Sequence, residues 1–247
     1  MAGPDRPRAA SDPPPELLAA AETFFGPRLR LAGRYAHSLA TDAVVRGLIG
    51  PREADRLWDR HILNCAAIAP AMPSGAYVID VGSGAGLPGV VLAIARPDLR
   101  VTLVESSARR TTYLDEIVAS LDLADRVTVV RARAEEVAEN ALVFHVKPAE
   151  VVTSRAVAPL DRLAGWCLPL ARIGGRLVAV KGTTAREEVA THAGAVARLG
   201  GGAPIVREYG TGLLPDPTTV VEVVRERSVD RRPNHTSTRH RGRSRRR

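Results

Sequence analysis

A chain of 247 residues that is 45% hydrophobic and 25% charged suits one globular domain with extensions. Its two cysteines exclude a disulfide framework and point to a reducing, cytoplasmic setting. No uncharged apolar run approaches the roughly 20 residues of a membrane span, and the N-terminus carries no apolar signal-peptide core. The formal charge of +8 lies in the tail, where ten arginines from Arg225 to Arg247 face only Glu226 and Asp230. Met1 to Val224 is formally neutral, so global basicity says little about the folded body. The tail reads as a disordered basic segment, either phosphate-holding or merely solubilising.

Residues 1–15, rich in Pro and Ala, are expected to be disordered. Residues 16–72 read as a helical segment: "ELLAAAETFFG", "LRLAGRYAHSLATDAVVRGL" and "READRLWDRHILNCAAIA" carry helical periodicity without strand-like alternation. The texture changes after Pro73-Ser74-Gly75. "AYVIDV" predicts a strand and "PGVVLAIAR" a helix with Pro88 in its first turn. Then "RVTLVE", "RVTVVR", "EVVTSR" and "GRLVAVKG" predict strands. They alternate with the helices "ARRTTYLDEIVASLDL", "AEEVAE", "PLDRLAGWCLPLA" and "AREEVATHAGAVARLG". "APIVREY" and "TTVVEVVR" follow without a helix between them and predict an antiparallel edge hairpin. This alternation predicts an α/β fold over 73–225, a mostly parallel seven-stranded sheet with helices on both faces. Its ligands belong beyond the C-terminal strand ends. Residues 226–247 form the tail.

The stretch "IDVGSGAGLPG" ends the first predicted strand. Gly82, Gly84 and Gly86 let the backbone turn tightly and approach a nucleotide-like ligand. The dinucleotide fingerprint G-x-G-x-x-G fails from Gly82, whose sixth position is Leu87, and fits only from Gly84, two residues late. Asp80 at the strand tip would repel a pyrophosphate and suits a cation such as S-adenosylmethionine; its alternative role is bonding loop amides. Glu105, ending the second strand, can accept both ribose hydroxyls. Backbone groups at Ala134 and Glu135 can meet an adenine edge, although the helix dipole also explains the acidic start. Arg155 ends the fourth strand and offers a planar fork for a carboxylate, phosphate or guanine edge.

The series "RHILNC", "DVGSGAGLPGVVLAIARPDLRVTLVESSARRTTYL", "RARAEEV", "VVTSRAVAPLDRLAGWCLPL" and "GGRLVAVKG" resembles the bacterial small-subunit ribosomal RNA guanine-N7 methyltransferases, the glucose-inhibited division protein B family. The likeness runs from about Tyr35 to Arg225. It implies a Rossmann-like class I methyltransferase that methylates one guanine of small-subunit (16S) ribosomal RNA, at rRNA position 527. It implies S-adenosylmethionine contacts at Gly82, Leu87, Ala134, Glu135 and Arg155, with Asp80, Gly84 and Glu105 matching the wider class. The chain departs from the family's Asn-Leu-Thr segment, carrying "VVRGLIG" there, and its Arg-rich tail is not a family feature.

Guanine N7 has an exposed lone pair, so no catalytic base is expected; the work is alignment and exclusion of water. Cys65 and Cys167 read as small core residues rather than nucleophiles. Arg60, His61, Arg109, Arg110, Arg133 and Lys181 are candidate RNA contacts, with His61 alternatively a structural histidine. No His/Cys spacing predicts a metal. A monomer is the default. The alternatives are a nucleotide-dependent oxidoreductase, a non-catalytic RNA binder relying on its tail, and a methyltransferase acting on a small molecule.

Overall fold

The computed structural model describes residues 12–155 and 158–229. The expected disorder of residues 1–15 and 226–247 lies outside the described residues for 1–11 and from 230 onward; within them, Pro15 already begins a helix and the Glu226 and Arg227 amides donate to the Gly200 carbonyl.

The sheet is built from β1 (Tyr77–Val81), β2 (Arg100–Glu105), β3 (Val127–Arg131), β4 (Ala149–Arg155), β5 (Ala171–Val180), β6 (Ile205–Tyr209) and β7 (Thr218–Val224). Its order is β3-β2-β1-β4-β5-β7-β6. The first five strands pair in parallel, and β7 pairs antiparallel with both β5 and β6. The expected seven strands and antiparallel edge pair are thus present. After β1 the chain builds outward to β2 and β3, then returns to place β4 on the other side of β1. That reversal opens a crevice at the strands' C-terminal ends, where open α/β sheets hold ligands.

Among the described residues, eight α-helices cover the faces: α1 (Pro15–Phe25), α2 (Leu29–Ser38), α3 (Leu63–Ala67), α4 (Gly89–Ala95), α5 (Ala108–Ser120), α6 (Ala134–Glu139), α7 (Leu160–Cys167) and α8 (Ala185–Arg198). Strand side chains alternate between two cores because successive Cβ atoms point to opposite faces. Val78, Leu103 and Val151 pack with α1 to α5 on one side. Ile79, Val104 and Val152 pack with α6 and α7 on the other. Burial on both faces explains why the central strands read as unbroken apolar runs.

Three local expectations are corrected. The region 52–69 is not one helix: 3₁₀ turns over Pro51–Arg56 and wide π turns over Leu57–Ile62 precede the short α3. Such π segments bring consecutive side chains out of helical register and recur at functional sites; here they carry Arg60 and His61. The helix after β4 ends at Cys167, passes through a 3₁₀ turn over Leu168–Leu170, and β5 starts at Ala171 rather than Gly175. Pro169 has no amide to continue the α ladder. Pro88 precedes α4 rather than occupying its first turn.

Candidate active site

β1 ends in the glycine turn, and Gly82, Gly84 and Gly86 have φ of 70°, 58° and 102°. These left-handed values favour residues without a Cβ. At Gly86 space is also limiting: a Cβ there would lie 2.5 Å from Val90 Cγ2 and 2.9 Å from the Tyr35 hydroxyl. Tyr35, on α2 and fully buried, donates its hydroxyl to the Ala85 carbonyl at 2.8 Å. The N-terminal helices therefore hold the turn from outside the sheet.

The turn's amides are used within the chain. Gly82 and Ser83 donate to the Val104 carbonyl at 2.8 and 3.2 Å, and Gly86 and Leu87 donate to the Ser83 carbonyl at 2.7 and 3.1 Å. Gly84 donates to Glu105 Oε2 at 3.0 Å and Gly89 to Asp80 Oδ2 at 3.0 Å. An anion cradle needs several converging amides without partners. This turn presents few of them, which disfavours a pyrophosphate and fits a ligand without phosphates.

Asp80 does not face the crevice, which corrects the expectation of a direct cation partner. It is completely buried beneath the turn, gripping the Gly89 amide, while Oδ1 has no hydrogen-bond partner among the described residues. Burial pushes its carboxyl up from an ordinary 3.8 to about 7, although the Gly89 amide pulls the other way. A raised folded-state value means that Asp80's contribution to stability is full below 3.8 and lost as pH rises through about 7. Asp80→Asn is expected to flatten the dependence of Tm on pH across that window, by an amount on the order of a few kcal/mol. An unchanged slope would show that Asp80 is charged throughout.

Above the turn lies a cavity of about 640 Å³ lined by Gly82, Gly84, Leu87, Glu105, Ala134, Glu135 and Arg155, together with Arg110, Trp166 and the N-terminal stretch Leu48–Gly50. Seven of the nine residues expected to bind cofactor thus converge; Asp80 and Gly86 shape the turn from below. Glu105 is buried, with Oε1 accepting the Ser107 amide at 2.9 Å and Arg110 Nη1 3.6 Å from Oε2. Arg110 therefore faces the cavity rather than being an isolated surface cation.

Arg155 closes one end of this cavity. Its Nη2 donates to His61 Nδ1, and its Nη1 to Cys65 Sγ at 3.2 Å and the His61 carbonyl at 3.4 Å. His61 Nε2 donates to Glu53 Oε2 at 2.8 Å. Accepting at Nδ1 and donating at Nε2 fixes one neutral tautomer. Burial and the Arg155 charge push the imidazole below its usual range, and the His61 hydrogen bond lowers Glu53. His61 thus has both ring nitrogens engaged within the chain, between Glu53 and Arg155. Both cysteines are buried and free, and burial raises their thiols.

The remaining basic candidates separate. Arg133 is exposed and lines the cavity; Arg60 is exposed and pairs with Glu53 at 3.3 Å; Arg109 is exposed on α5 away from it. Lys181 is not a free surface cation, since its side chain is 7% exposed and Nζ donates to Glu188 Oε2 at 2.7 Å and the Ala158 carbonyl at 2.8 Å. Sequence reading missed Glu53 and Glu188 among the charged residues, and Leu48–Gly50 and Trp166 among the cavity's lining. Each glutamate sits within an ordinary helical charge pattern, with no local signal of its partner.

The family described as "GidB: rRNA small subunit methyltransferase G" matches residues 28–209. A protein named ribosomal RNA small subunit methyltransferase G from Salinispora tropica is 64% identical over 89% of this chain and 91% of its own length. One so named from Rhodococcus jostii is 55% identical over 84% and 89%. Among solved structures, a predicted O-methyltransferase from Agrobacterium tumefaciens aligns with TM-score 0.51 at 16% identity, over 66% of this chain and 81% of that one. P. horikoshii TYW2 in complex with MeSAdo aligns with TM-score 0.50 at 13% identity, over 68% and 63%. These likenesses establish the fold, and the glycine turn, the crevice and the sequence matches together establish that the chain belongs to the rRNA small subunit methyltransferase G family.

Proposed function

We propose that the protein transfers a methyl group from S-adenosylmethionine to N7 of a guanine in small-subunit ribosomal RNA, at position 527. The observation that carries the choice of ligand is the glycine turn, whose amides bond within the chain beside a buried acidic strand tip. A nicotinamide dinucleotide would bring a pyrophosphate to this point and meet few amide donors.

In this reading Glu105 receives the ribose hydroxyls, Ala134 and Glu135 border the adenine, and Arg155 meets the donor's carboxylate end or the target base. When bound, S-adenosylmethionine supplies a methyl group already activated by the sulfonium, and the sulfur keeps the bonding pair on transfer. The chain's residues then act by position. The turn and Leu87 form the floor, Leu48–Gly50 and Trp166 border the opening, and no side chain has to remove a proton from N7. Arg133 and Arg110 on the rim are suited to RNA phosphates. No described helix is long and apolar enough to cross a membrane.

The test is incubation with labelled S-adenosylmethionine and small-subunit particles lacking the modification, followed by mapping of N7-methylguanine. The expected result is one labelled guanine. Cofactor binding without label in the RNA would overturn the reading.

A further inference from the structure

A second cavity, of about 820 Å³, lies beyond Arg155 at the C-terminal ends of β4 and β5. It shares Glu53, His61 and Arg155 with the first, so the two meet at the Arg155 guanidinium. Its far side is formed by Pro159, Lys181, Glu188 and His192. Two carboxylates face it, and they differ in how their oxygens are used. Glu53 is taken on both sides, Oε1 by Arg60 at 3.3 Å and Oε2 by His61 at 2.8 Å. Glu188 has only Oε2 engaged, by Lys181 Nζ at 2.7 Å and by the Leu160 amide at 3.1 Å. Glu188 Oε1 has no hydrogen bond among the described residues, and the side chain keeps 25% exposure. Two anchors thus fix one oxygen of the carboxylate and leave the other for a ligand.

Guanine is asymmetric in the matching way. N7 and O6 accept on one edge, while N1–H and the N2 amino group donate on the opposite side of the base. A base that points N7 at the first cavity directs its two donors into the second.

We infer that the second cavity receives the target guanine and that Glu188, held by Lys181 and the Leu160 amide, accepts the N1–H and N2–H donors of its Watson–Crick edge. This assignment rests on the guanine-N7 reading above. The N7–methyl bond forms as the sulfur–methyl bond breaks with its pair left on sulfur, and no proton departs. The guanine ring therefore becomes cationic and its N1–H a stronger donor. A carboxylate on that edge gains strength as the methyl group arrives, so it favours the transition state over bound substrate. It also rejects adenine, which offers an acceptor at N1 and no 2-amino group.

The experiment crosses protein and base. Reconstituted small-subunit particles carry guanosine or inosine at the target; inosine keeps N1–H and N7 and lacks the 2-amino group. Wild-type protein is expected to lose about 10-fold in kcat/KM on inosine. Glu188→Gln is expected to lose about 100-fold on guanosine, mostly in kcat, yet to show little further loss on inosine. Its binding of S-adenosylhomocysteine by calorimetry should stay close to wild type while its Tm falls by a few degrees, because Lys181 loses its counter-charge, and Glu187→Gln, exposed on the same helix, should behave as wild type. A merely structural Lys181–Glu188 pair predicts instead the same inosine penalty in Glu188→Gln as in wild type, and that result overturns the inference. Equal wild-type rates on guanosine and inosine overturn it too, without reliance on any variant. No methylation of guanosine by wild-type protein marks failure of the underlying reading, a distinct outcome.

Discussion

Arg155→Ala is expected to lower methyl transfer by about 100-fold or more, the scale seen when one oriented charged donor is removed from a dry site. The reason lies in its position at the meeting point of the two cavities, aimed by partners from another part of the chain. His61 Nδ1, Cys65 Sγ and the His61 carbonyl all take its N–H groups. Its loss removes a cation from the crevice and leaves those acceptors without a donor, so Tm should also fall by a few degrees. Arg155→Lys should rescue little, because an ammonium cannot reproduce a planar fork spread over four acceptors, the Arg60 carbonyl among them. Transfer assays, calorimetry with S-adenosylhomocysteine and thermal melts separate the components. Unchanged transfer by Arg155→Ala would remove it from the site.

The second large effect is expected for Gly86→Ala. The residue sits at φ 102°, and its Cβ would meet Val90 Cγ2 at 2.5 Å and the Tyr35 hydroxyl at 2.9 Å. Backbone strain of about 1–3 kcal/mol adds to an overpacking cost of similar size. The turn relaxes only by shifting Leu87 into the cavity or by breaking the Tyr35–Ala85 bond. A fall in Tm of about 5–15 °C and loss of most cofactor affinity are expected, read by melting and calorimetry. Gly84→Ala is a useful contrast: it has a positive φ of 58° but its nearest neighbour is 3.9 Å away, so it should lose less. Equal effects would mean that backbone angle alone governs the turn.

The sheet was legible because each parallel strand is buried on both faces and reads as its own apolar run, punctuated by helical periods. The antiparallel end was legible because nothing helical separates "APIVREY" from "TTVVEVVR". Boundaries failed where the chain's continuation depends on distant partners. β5 begins at Ala171 because Ala149 lies opposite it, and no local pattern encodes that pairing. The site divides in the same way. Gly82, Gly84, Leu87 and Glu105 follow from strand ends and a turn, which are local. The chain Glu53–His61–Arg155 spans about a hundred residues of sequence, and the Lys181–Glu188 pair turns inward a charge that resembles any solvated helix face. Asp80's place beneath the turn was hidden for a related reason: sequence shows a carboxylate at a strand tip but not which side of the turn it faces.

The Tyr35–Ala85 hydrogen bond bears on how far this fold can be treated as interchangeable parts. Class I sheets are often pictured as a portable catalytic cassette to which substrate-binding pieces are appended. Here the appended helices supply the hydroxyl that holds the turn, the imidazole that aims Arg155 and much of one core. A fragment beginning at residue 73 would therefore not be a minimal enzyme awaiting a new recognition module. It would lack the scaffold of its own binding turn, and specificity could not be transplanted by exchanging everything upstream of β1.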